Sequence, residues 1–291
     1  MSYTLWNVTL LFFVYAFLGW CAEVAFAACK NGRFVNRGFL NGPICPIYGF
    51  GLIGVVLLLR PVEDNLILLY IGSFLLTSLI ELVTSYLLEK CFHAKWWDYS
   101  AMPLNIGGYV CLLFSLVWGL ACMAIVRWVH PLVFSLVDHL PKLLVYILDS
   151  IFVCVLAVDL AATVASIRKL SQRLSNLTQL ANEIHEISDS LGENIAERTL
   201  ATRKRLEEGQ QKLEEKMDRI EENRDLSREV SERRLAELRL KLEGVLGEKR
   251  FGHRRLLEAF PNLSSHRNSE ALERMRVFFE EHRRGKKKKN T

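Results

Sequence analysis

Long apolar runs separated by short polar segments fill the first 167 residues of the chain. A membrane-spanning helix needs roughly 17 to 25 mostly apolar residues, because the hydrocarbon layer is about 30 Å thick. The first apolar run is too long for the apolar core of a signal peptide, so we expect it to be a retained span. The pattern predicts an all-α fold, a polytopic membrane bundle of five transmembrane helices. Their predicted positions are 5–29, 43–60, 65–89, 106–129 and 143–167.

The pattern changes after residue 167. Apolar residues then recur at alternating spacings of four and three among many charges, and no proline occurs between Arg168 and Glu258. This spacing predicts a long cytoplasmic helical or coiled-coil tail over 168–260. Several shorter helices folded back as a bundle are the alternative. Residues 261–291 are predicted to be a linker, a short amphipathic helix and a basic terminus, which either touches anionic lipid or serves as a solubilising tail.

Composition supports the division of the chain into 1–167 and the remainder. The first part has eight Lys and Arg against nine Asp and Glu, a net charge of −1, whereas the rest has 29 against 23, a net charge of +6. All seven cysteines lie in the first part without a Cys-x-x-Cys pair, and we interpret them as small buried apolar residues. A secreted disulfide scaffold and a soluble enzyme with one core are excluded. We predict no metal site and no cofactor.

The basic residues beside the spans indicate the orientation. Eight lysines and arginines would lie on one face of the five-span arrangement and three on the other. Cytoplasmic loops are richer in Lys and Arg, so we predict an N-terminus outside the cell and a cytoplasmic tail. This orientation places two unusual segments, 36–43 and 96–99, on the same cytoplasmic face.

Two carboxylates, Glu23 and Glu81, interrupt the first and third spans. A charged side chain within a span costs roughly 2.5 to 3.5 kcal/mol, so both are expected to face the bundle interior. Each lies on a stripe of small or polar residues, which is either a packing seam or the wall of a polar cavity with Arg37 as counter-charge. Asp159 lies near the inner end of the fifth span and could be solvated there, and Asp149 has no evident partner.

The residues following the first and third spans complete a candidate site. Trp97 and Tyr99 suit either a membrane interface or a ligand site, while Asp98 between them could cap the fourth helix, orient Arg37 or contact a ligand. Asn105 is expected to begin the fourth span at the same face. The candidate substrate-binding vestibule comprises Glu23, Asn36, Arg37, Asn41, Tyr48, Glu81, Trp97, Asp98, Tyr99 and Asn105.

Glycines and prolines make the second span unusual. Pro43 and Pro46 open it, and Gly49, Gly51 and Gly54 follow, which predicts a short helix with an irregular inner end. These glycines also spell G-x-G-x-x-G. The dinucleotide-binding motif requires a preceding strand, and here the glycines lie inside an apolar span, so we do not interpret them as a nucleotide site.

Several separate motifs, in order, resemble the CmpB-like group of the ABC-transporter permease family of bacterial membrane proteins. The resemblance covers roughly residues 5–130. It is found in Phe17–Trp20 with Glu23, Asn36–Pro43, Pro46–Gly49, Glu81, Trp96–Ser100, Asn105 and Gly108–Leu112. It implies a multi-pass protein of the bacterial inner membrane that acts as a transporter permease.

Three functions follow from these observations. The first is a transporter permease component whose ATPase is a separate subunit, because the sequence has no G-x-x-x-x-G-K-[ST] phosphate loop. The second is an intramembrane enzyme acting on a lipid or lipid-linked substrate, although no catalytic signature is present. The third is a membrane scaffold or sensor whose tail binds partners. Expected partners are membrane lipids, further copies of the chain joined through the spans and tail, and an ABC-type ATPase; nucleic acid is not expected.

Overall fold

The computed structural model describes residues 3–208, 214–247, 253–265 and 268–289. Within these ranges the chain is almost entirely helical, as predicted. The helices are α1 (Leu5–Asn31), α2 (Pro46–Leu58), α3 (Leu66–Phe92), α4 (Leu112–Ala124), α5 (His130–Asp138), α6 (Lys142–Glu208), α7 (Glu214–Gly247), α8 (His253–Ala259) and α9 (Ser269–Lys289). A short 3-10 turn, Arg60–Val62, follows α2, and a π-helical turn, Ile125–Val129, joins α4 to α5.

Four two-residue strands complete the described structure: β1 (Ala94–Lys95), β2 (Asn105–Ile106), β3 (Val110–Cys111) and β4 (Ser264–Ser265). β2 and β3 form a hairpin, while β1 pairs antiparallel with β4 from the distant tail. The expectation that Asn105 begins a helix is therefore wrong. It lies in β2, and the helix begins only at Leu112, because Gly107 and Gly108 adopt positive φ angles of 59° and 75° that form the hairpin turn.

Four helical segments of the described chain are long and apolar enough to cross a membrane: Leu5–Asn31, Leu66–Phe92, Leu112–Asp138 and Lys142–Lys204. The predicted second span is a helix of only 13 residues, Pro46–Leu58, which at 1.5 Å per residue extends about 20 Å. It is shorter than the layer of about 30 Å. Length and composition thus support four of the five predicted spans, and the fourth is displaced toward the C-terminus relative to 106–129.

The chain divides into two compact units. The first comprises Met1–Leu170 together with Arg250–Arg267, and the second comprises Ser171–Lys249 together with Asn268–Thr291. The sequence predicted boundaries at 168 and 261 instead, and that three-segment division remains a prediction. The structural division associates α8 and β4 with the apolar helices, because their contacts are made there and not with the rest of the tail.

The core of the first unit lies where α1, α2, α3, α5 and α6 meet. Leu11, Tyr15, Val55 and Leu69 are fully buried there. Many other large apolar side chains of these helices are exposed on the outside. This distribution is the one expected for helices surrounded by lipid, since lipid tails solvate apolar side chains as well as the protein interior does.

The second unit is an antiparallel helical hairpin completed by α9. Arg173, in α6, donates to the carbonyl oxygens of Val245 and Leu246 near the end of α7, and Arg234 of α7 forms an ion pair of 3.0 Å with Glu183 of α6. The tail therefore folds back on itself, which was the alternative to a single long rod. A coiled coil between chains stays a prediction.

Candidate functional site

The segment between α1 and α2, residues 32–45, folds back into the helical unit. The backbone N–H of Cys45 donates to the carbonyl oxygen of Ala16, at 2.9 Å, in the middle of α1. Val35, Leu40 and Cys45 are all buried. We call residues 36–43 the motif loop. Because this loop descends beside α1, α2 begins about halfway along its neighbour, which explains why α2 is short.

Asn36 organises the motif loop from within. Its side-chain oxygen accepts from the indole N–H of Trp20 at 2.8 Å and from the backbone N–H of Gly38 at 3.1 Å. Its side-chain nitrogen donates to the carbonyl oxygen of Asn41 at 2.9 Å. Asn36 therefore closes the loop and ties it to α1. Its role is to shape the loop, and its polar atoms are occupied by the protein itself.

Asp159 of α6 holds the far end of the motif loop. One carboxylate oxygen accepts from the backbone N–H of Asn41 at 3.1 Å and from its side-chain amide at 2.9 Å; the other accepts from the backbone N–H of Gly42 at 2.7 Å. The hydroxyl of Thr163 adds a fourth bond at 3.3 Å. The sequence suggested only that Asp159 could be solvated near the inner end of its helix. The side chain is partly exposed, and the motif loop provides hydrogen-bond donors that the sequence did not predict.

Arg255 of α8 binds the carbonyl groups of the same loop. The guanidinium donates to the carbonyl oxygens of Gly38 at 2.8 Å, Leu40 at 2.9 Å and Phe39 at 3.1 Å. Burial lowers the pKa of Arg255, and the negative charge of Asp159 opposes that shift. No pattern in the sequence indicated a role for this residue. Only its position in a Leu-rich segment after the long charged tail could have drawn attention to it.

The rest of α8 packs beside this contact. Leu256 and Ala259 are fully buried, and the ring of Phe260 meets the ring of Trp96 edge-on, with centroids 4.7 Å apart. Arg33 and Glu258 form a partly exposed ion pair at 3.6 Å. Residues 253–265 therefore form an integral part of the first unit.

The predicted pairing of Arg37 with a carboxylate is present. Its guanidinium lies 3.3 Å from a carboxylate oxygen of Glu23 in α1, with both side chains about a quarter exposed (29% and 24%). The hydroxyl of Tyr48 in α2 donates to the other Glu23 oxygen at 2.6 Å. Arg37 also lies over the ring of Phe26 at 5.3 Å from the centroid. Glu23 is thus compensated by one cation and one neutral donor.

Glu81 has a different environment. The hydroxyl of Tyr99 donates to its Oε1 at 3.1 Å, while Oε2 is buried and has no hydrogen-bond partner in the described part of the chain. The pKa of Tyr99 is raised well above its ordinary value by burial first, and then by Glu81; Cys111 and Glu23 add to the increase. The contribution of Glu23 indicates that both carboxylates lie near Tyr99. Arg37 pairs with Glu23, and no ion pair joins it to Glu81 among the described residues.

The remaining candidates shape the loop between α3 and α4. The indole N–H of Trp97 donates to the carbonyl of Tyr109 at 3.0 Å, and Asp98 accepts from the backbone N–H and the hydroxyl of Ser100 at 2.9 and 2.5 Å. Asn105 bonds to Met102 and Gly108 across the hairpin. The N-cap residue of α4 is Cys111, whose side chain makes no capping hydrogen bond, and capping of that helix by Asp98 stays a prediction.

Asp149, for which the sequence indicated no partner, is 1% exposed, and neither of its oxygens has a hydrogen-bond partner in the described part of the chain. A second polar cluster, formed by His130 with Tyr3 and Tyr15, was not predicted from the sequence. The hydroxyls of Tyr3 and Tyr15 lie 2.9 and 2.5 Å from the two ring nitrogens of His130. A histidine within an apolar core gives no periodic signal, so only the fold identifies this cluster.

Ten predicted site residues therefore separate into two groups. Five are polar side chains that are buried or partly buried beside α1 and α3, which we call the vestibule cluster, and five shape the two loops beside it. The vestibule cluster is Glu23, Arg37, Tyr48, Glu81 and Tyr99; the loop residues are Asn36, Asn41, Trp97, Asp98 and Asn105.

Residues 10–164 of the chain match the family described as putative ABC-transporter type IV. The chain belongs to this family. The matched region contains most of α1, all of α2 to α5, the first part of α6 and every residue of the vestibule cluster. Neither a curated protein nor a solved structure matches the chain. The family and the apolar helices together indicate a membrane protein of the ABC-transporter type.

Proposed function

We propose that this chain is the membrane-embedded permease component of an ABC-type transporter in the bacterial inner membrane, with the vestibule cluster open to the cytoplasm. The observation that supports this proposal most directly is the cluster itself. It places two carboxylates, a guanidinium and two tyrosine hydroxyls between helices whose outer surfaces are apolar. Ionisable groups inside a membrane bundle are expensive, and they commonly mark a substrate or ion pathway.

The proposal includes five passes through the membrane, the second made by α2 and the descending loop together. The guanidinium of Arg60, just after α2, lies 5.3 Å from the ring of Tyr3 at the start of α1. At the other end, the ring of Phe39 approaches those of Phe92 and Trp96, at 6.3 and 5.1 Å. These contacts support α1 and α3 running in the same direction. Residues 32–65 would then return the chain across the layer.

Cysteine labelling tests this topology and its orientation. Cys29 and Cys91 lie near the ends of α1 and α3 and are exposed, whereas Cys45 is 5% exposed. In variants that retain one cysteine each, a membrane-impermeant maleimide should label Cys29 and Cys91 in inverted vesicles but not in intact cells. Cys45, the matched buried control, should react only after denaturation. Labelling of Cys29 and Cys91 from opposite sides would contradict the five-pass arrangement.

The energy source is proposed to be a separate ATPase subunit, and the assembly to contain more than one copy of the chain. Affinity purification from native membranes in mild detergent should recover a stoichiometric ABC-type ATPase, and the complex should hydrolyse ATP. The same preparation made with an unrelated tagged membrane protein is the control. Recovery of a homo-oligomer without ATPase activity would refute the permease assignment.

A further inference from the structure

Helix α3 turns its polar side chains inward. Its four buried residues are Leu69, Ser73, Glu81 and Ser85, three of them polar. Large apolar residues occupy the outer face, including Leu75 and Leu79, which are 59% and 55% exposed. This arrangement confirms the polar stripe expected from the sequence, and it places the stripe against the neighbouring helices.

Three buried oxygens on this stripe accept or donate no hydrogen bond within the described part of the chain. The hydroxyls of Ser73 and Ser85 and the Oε2 atom of Glu81 have no hydrogen-bond partner among the described residues. Serine in a helix can bond to the carbonyl four residues earlier, as Ser78 does to Phe74 at 2.6 Å. Ser73 and Ser85 do not make that bond, so their oxygens remain available for another partner. Leaving such a group unsatisfied costs roughly 1 to 3 kcal/mol.

The charge of Glu81 is also uncompensated within the described chain. Glu23 faces Arg37 at 3.3 Å, which balances the first carboxylate. Glu81 receives only the neutral hydroxyl of Tyr99. A buried carboxylate without a counter-charge is strongly disfavoured, so Glu81 needs a proton or another cation.

We propose that Glu81 binds a monovalent cation in exchange for a proton, with the hydroxyl of Ser85 as a neutral oxygen ligand. This inference rests on the proposed function, for which it specifies the chemistry of the substrate or coupling ion. The carboxylic acid O–H bond breaks, its proton passes to water, and the carboxylate takes the incoming cation. One positive charge enters and one leaves, so the charge of the buried site does not change.

Helix geometry places the ligands suitably. Ser85 is four residues beyond Glu81 on the same face, about 6 Å along the axis. Ser73 is eight residues before Glu81, about 12 Å in the other direction, and would serve as a further oxygen along the path. The other ionisable groups of the vestibule cluster are Tyr99, whose hydroxyl bonds to Glu81, and Glu23 with its partners Arg37 and Tyr48.

The cation is either a metal ion or the ammonium group of a substrate. Infrared difference spectroscopy on the full-length protein in liposomes, at constant pH, tests the proposal with sodium, potassium and methylammonium chloride as probes. At least one probe should remove the carbonyl-stretch band of a protonated carboxylic acid and produce a carboxylate band. Sodium or potassium alone would indicate a metal ion, and methylammonium alone a substrate amine; either outcome supports the inference.

Matched variants show which residues produce the infrared band and bind the cation. Glu81→Gln should abolish the band, and Ser85→Ala should weaken the apparent cation affinity about tenfold. Ser78→Ala is the control on the same helix, because its hydroxyl is already bonded to the backbone; its affinity should stay within about twofold of the parent. Size-exclusion chromatography checks folding, and the serine variants decide the test if Glu81→Gln does not fold.

The inference is overturned if no probe changes the band, if choline chloride at equal ionic strength has the same effect, or if Ser85→Ala and Ser78→Ala behave alike. These results do not depend on the ATPase. A copurifying ATPase without cation exchange would support the proposed function and refute this inference. Cation exchange without an ATPase would support cation binding at Glu81 and refute the permease assignment.

Discussion

At the scale of single residues, two side chains of opposite charge bind the backbone of the motif loop, one through its N–H groups and the other through its carbonyl groups. Asp159 accepts from backbone N–H groups of Asn41 and Gly42, and Arg255 donates to the carbonyl groups of residues 38–40. Charge-assisted hydrogen bonds are about twice as strong as neutral ones. Because both residues act on the same eight-residue loop, their effects on stability should be coupled.

A double-mutant cycle measures this coupling. Asp159→Asn and Arg255→Gln should each lower the free energy of unfolding in detergent by about 2 kcal/mol. The double variant should lose about 1 to 2 kcal/mol less than the sum of the single changes. Glu229→Gln removes an exposed ion pair with Arg233 and should change stability by less than about 0.5 kcal/mol, additively with Asp159→Asn. Strict additivity of Asp159 and Arg255 would show that the loop does not link them.

The folding stability of the protein should fall at alkaline pH because of Tyr99. Burial is the first cause that raises its pKa above the ordinary value of 10.0, followed by the charge of Glu81. Above that ordinary value the unfolded chain releases the tyrosine proton while the folded chain keeps it, so folding stability falls as the pH rises. Tyr99→Phe should reduce this alkaline loss, as measured by unfolding between pH 9 and about 11.

A tyrosine on the outside of α3 provides the comparison for Tyr99. Tyr86 is 51% exposed, and Tyr86→Phe should leave the alkaline loss of stability as it is in the parent. Equal effects of the two substitutions would contradict the assignment to Tyr99.

At the scale of the elements, α1 and α2 approach so closely that no side chain fits at Gly19 or Gly49. A Cβ atom on Gly49 would lie 2.6 Å from the ring of Phe12 and 2.8 Å from its carbonyl oxygen, and one on Gly19 would lie 2.3 Å from the ring of Tyr48. Small residues allow such contacts between membrane helices, where packing replaces the hydrophobic effect as the driving force. Gly49 of the second span therefore serves the close packing of α2 against α1.

Two glycines on α2 differ only in their surroundings. Gly51 has no atom within 4 Å of an added Cβ. Gly49→Ala should lower the free energy of unfolding by about 1 to 3 kcal/mol through overpacking, whereas Gly51→Ala should be neutral or stabilising by up to about 1 kcal/mol because alanine favours helix. Thermal unfolding in detergent compares them. A Gly49→Ala variant as stable as Gly51→Ala would show that α1 and α2 are not in close contact.

At the scale of the whole molecule, the chain leaves its first unit after residue 170 and returns to it for residues 250–267. The returning segment supplies Arg255 and the buried Leu256, Ala259 and Leu263. Deletion of residues 170–291 therefore removes part of the unit that carries the vestibule cluster. Loss of function in such a deletion would not distinguish a scaffold from a transporter.

Truncation at two positions separates these roles. A chain ending at residue 249 should lose about 3 kcal/mol or more in the first unit, because three buried leucines, Leu256, Leu257 and Leu263, and the Arg255 contacts are removed. All six tryptophans lie in residues 1–167, so intrinsic fluorescence reports on that unit. Trp96, which is 4% exposed beside Phe260, should shift its emission to longer wavelength. A chain ending at residue 267 should keep the parent spectrum; identical spectra for both truncations would contradict the docking of α8.

Much of the candidate site could be predicted from the sequence. Glu23 and Arg37 were predicted to pair because a charge inside an apolar helix needs a partner, and Glu81 was predicted to face inward from the stripe on its helix. Tyr48 and Tyr99 were chosen from motif context and do contact the two carboxylates. The loop contacts of Asp159 and Arg255 were not predicted, because their partners are 117 and 215 residues away in sequence and no local pattern reveals such distant contacts.

The sequence alone determined the helical class, the apolar membrane segments and the inward polar stripe of α3, since these depend on composition and on a period of 3.6 residues within one element. Only the tertiary structure decided the descent of the motif loop to Ala16, the short α2 and the return of residues 250–267. These features depend on backbone groups that need partners once they are away from water. Which distant side chain provides each partner depends on packing between elements, and local sequence does not encode it.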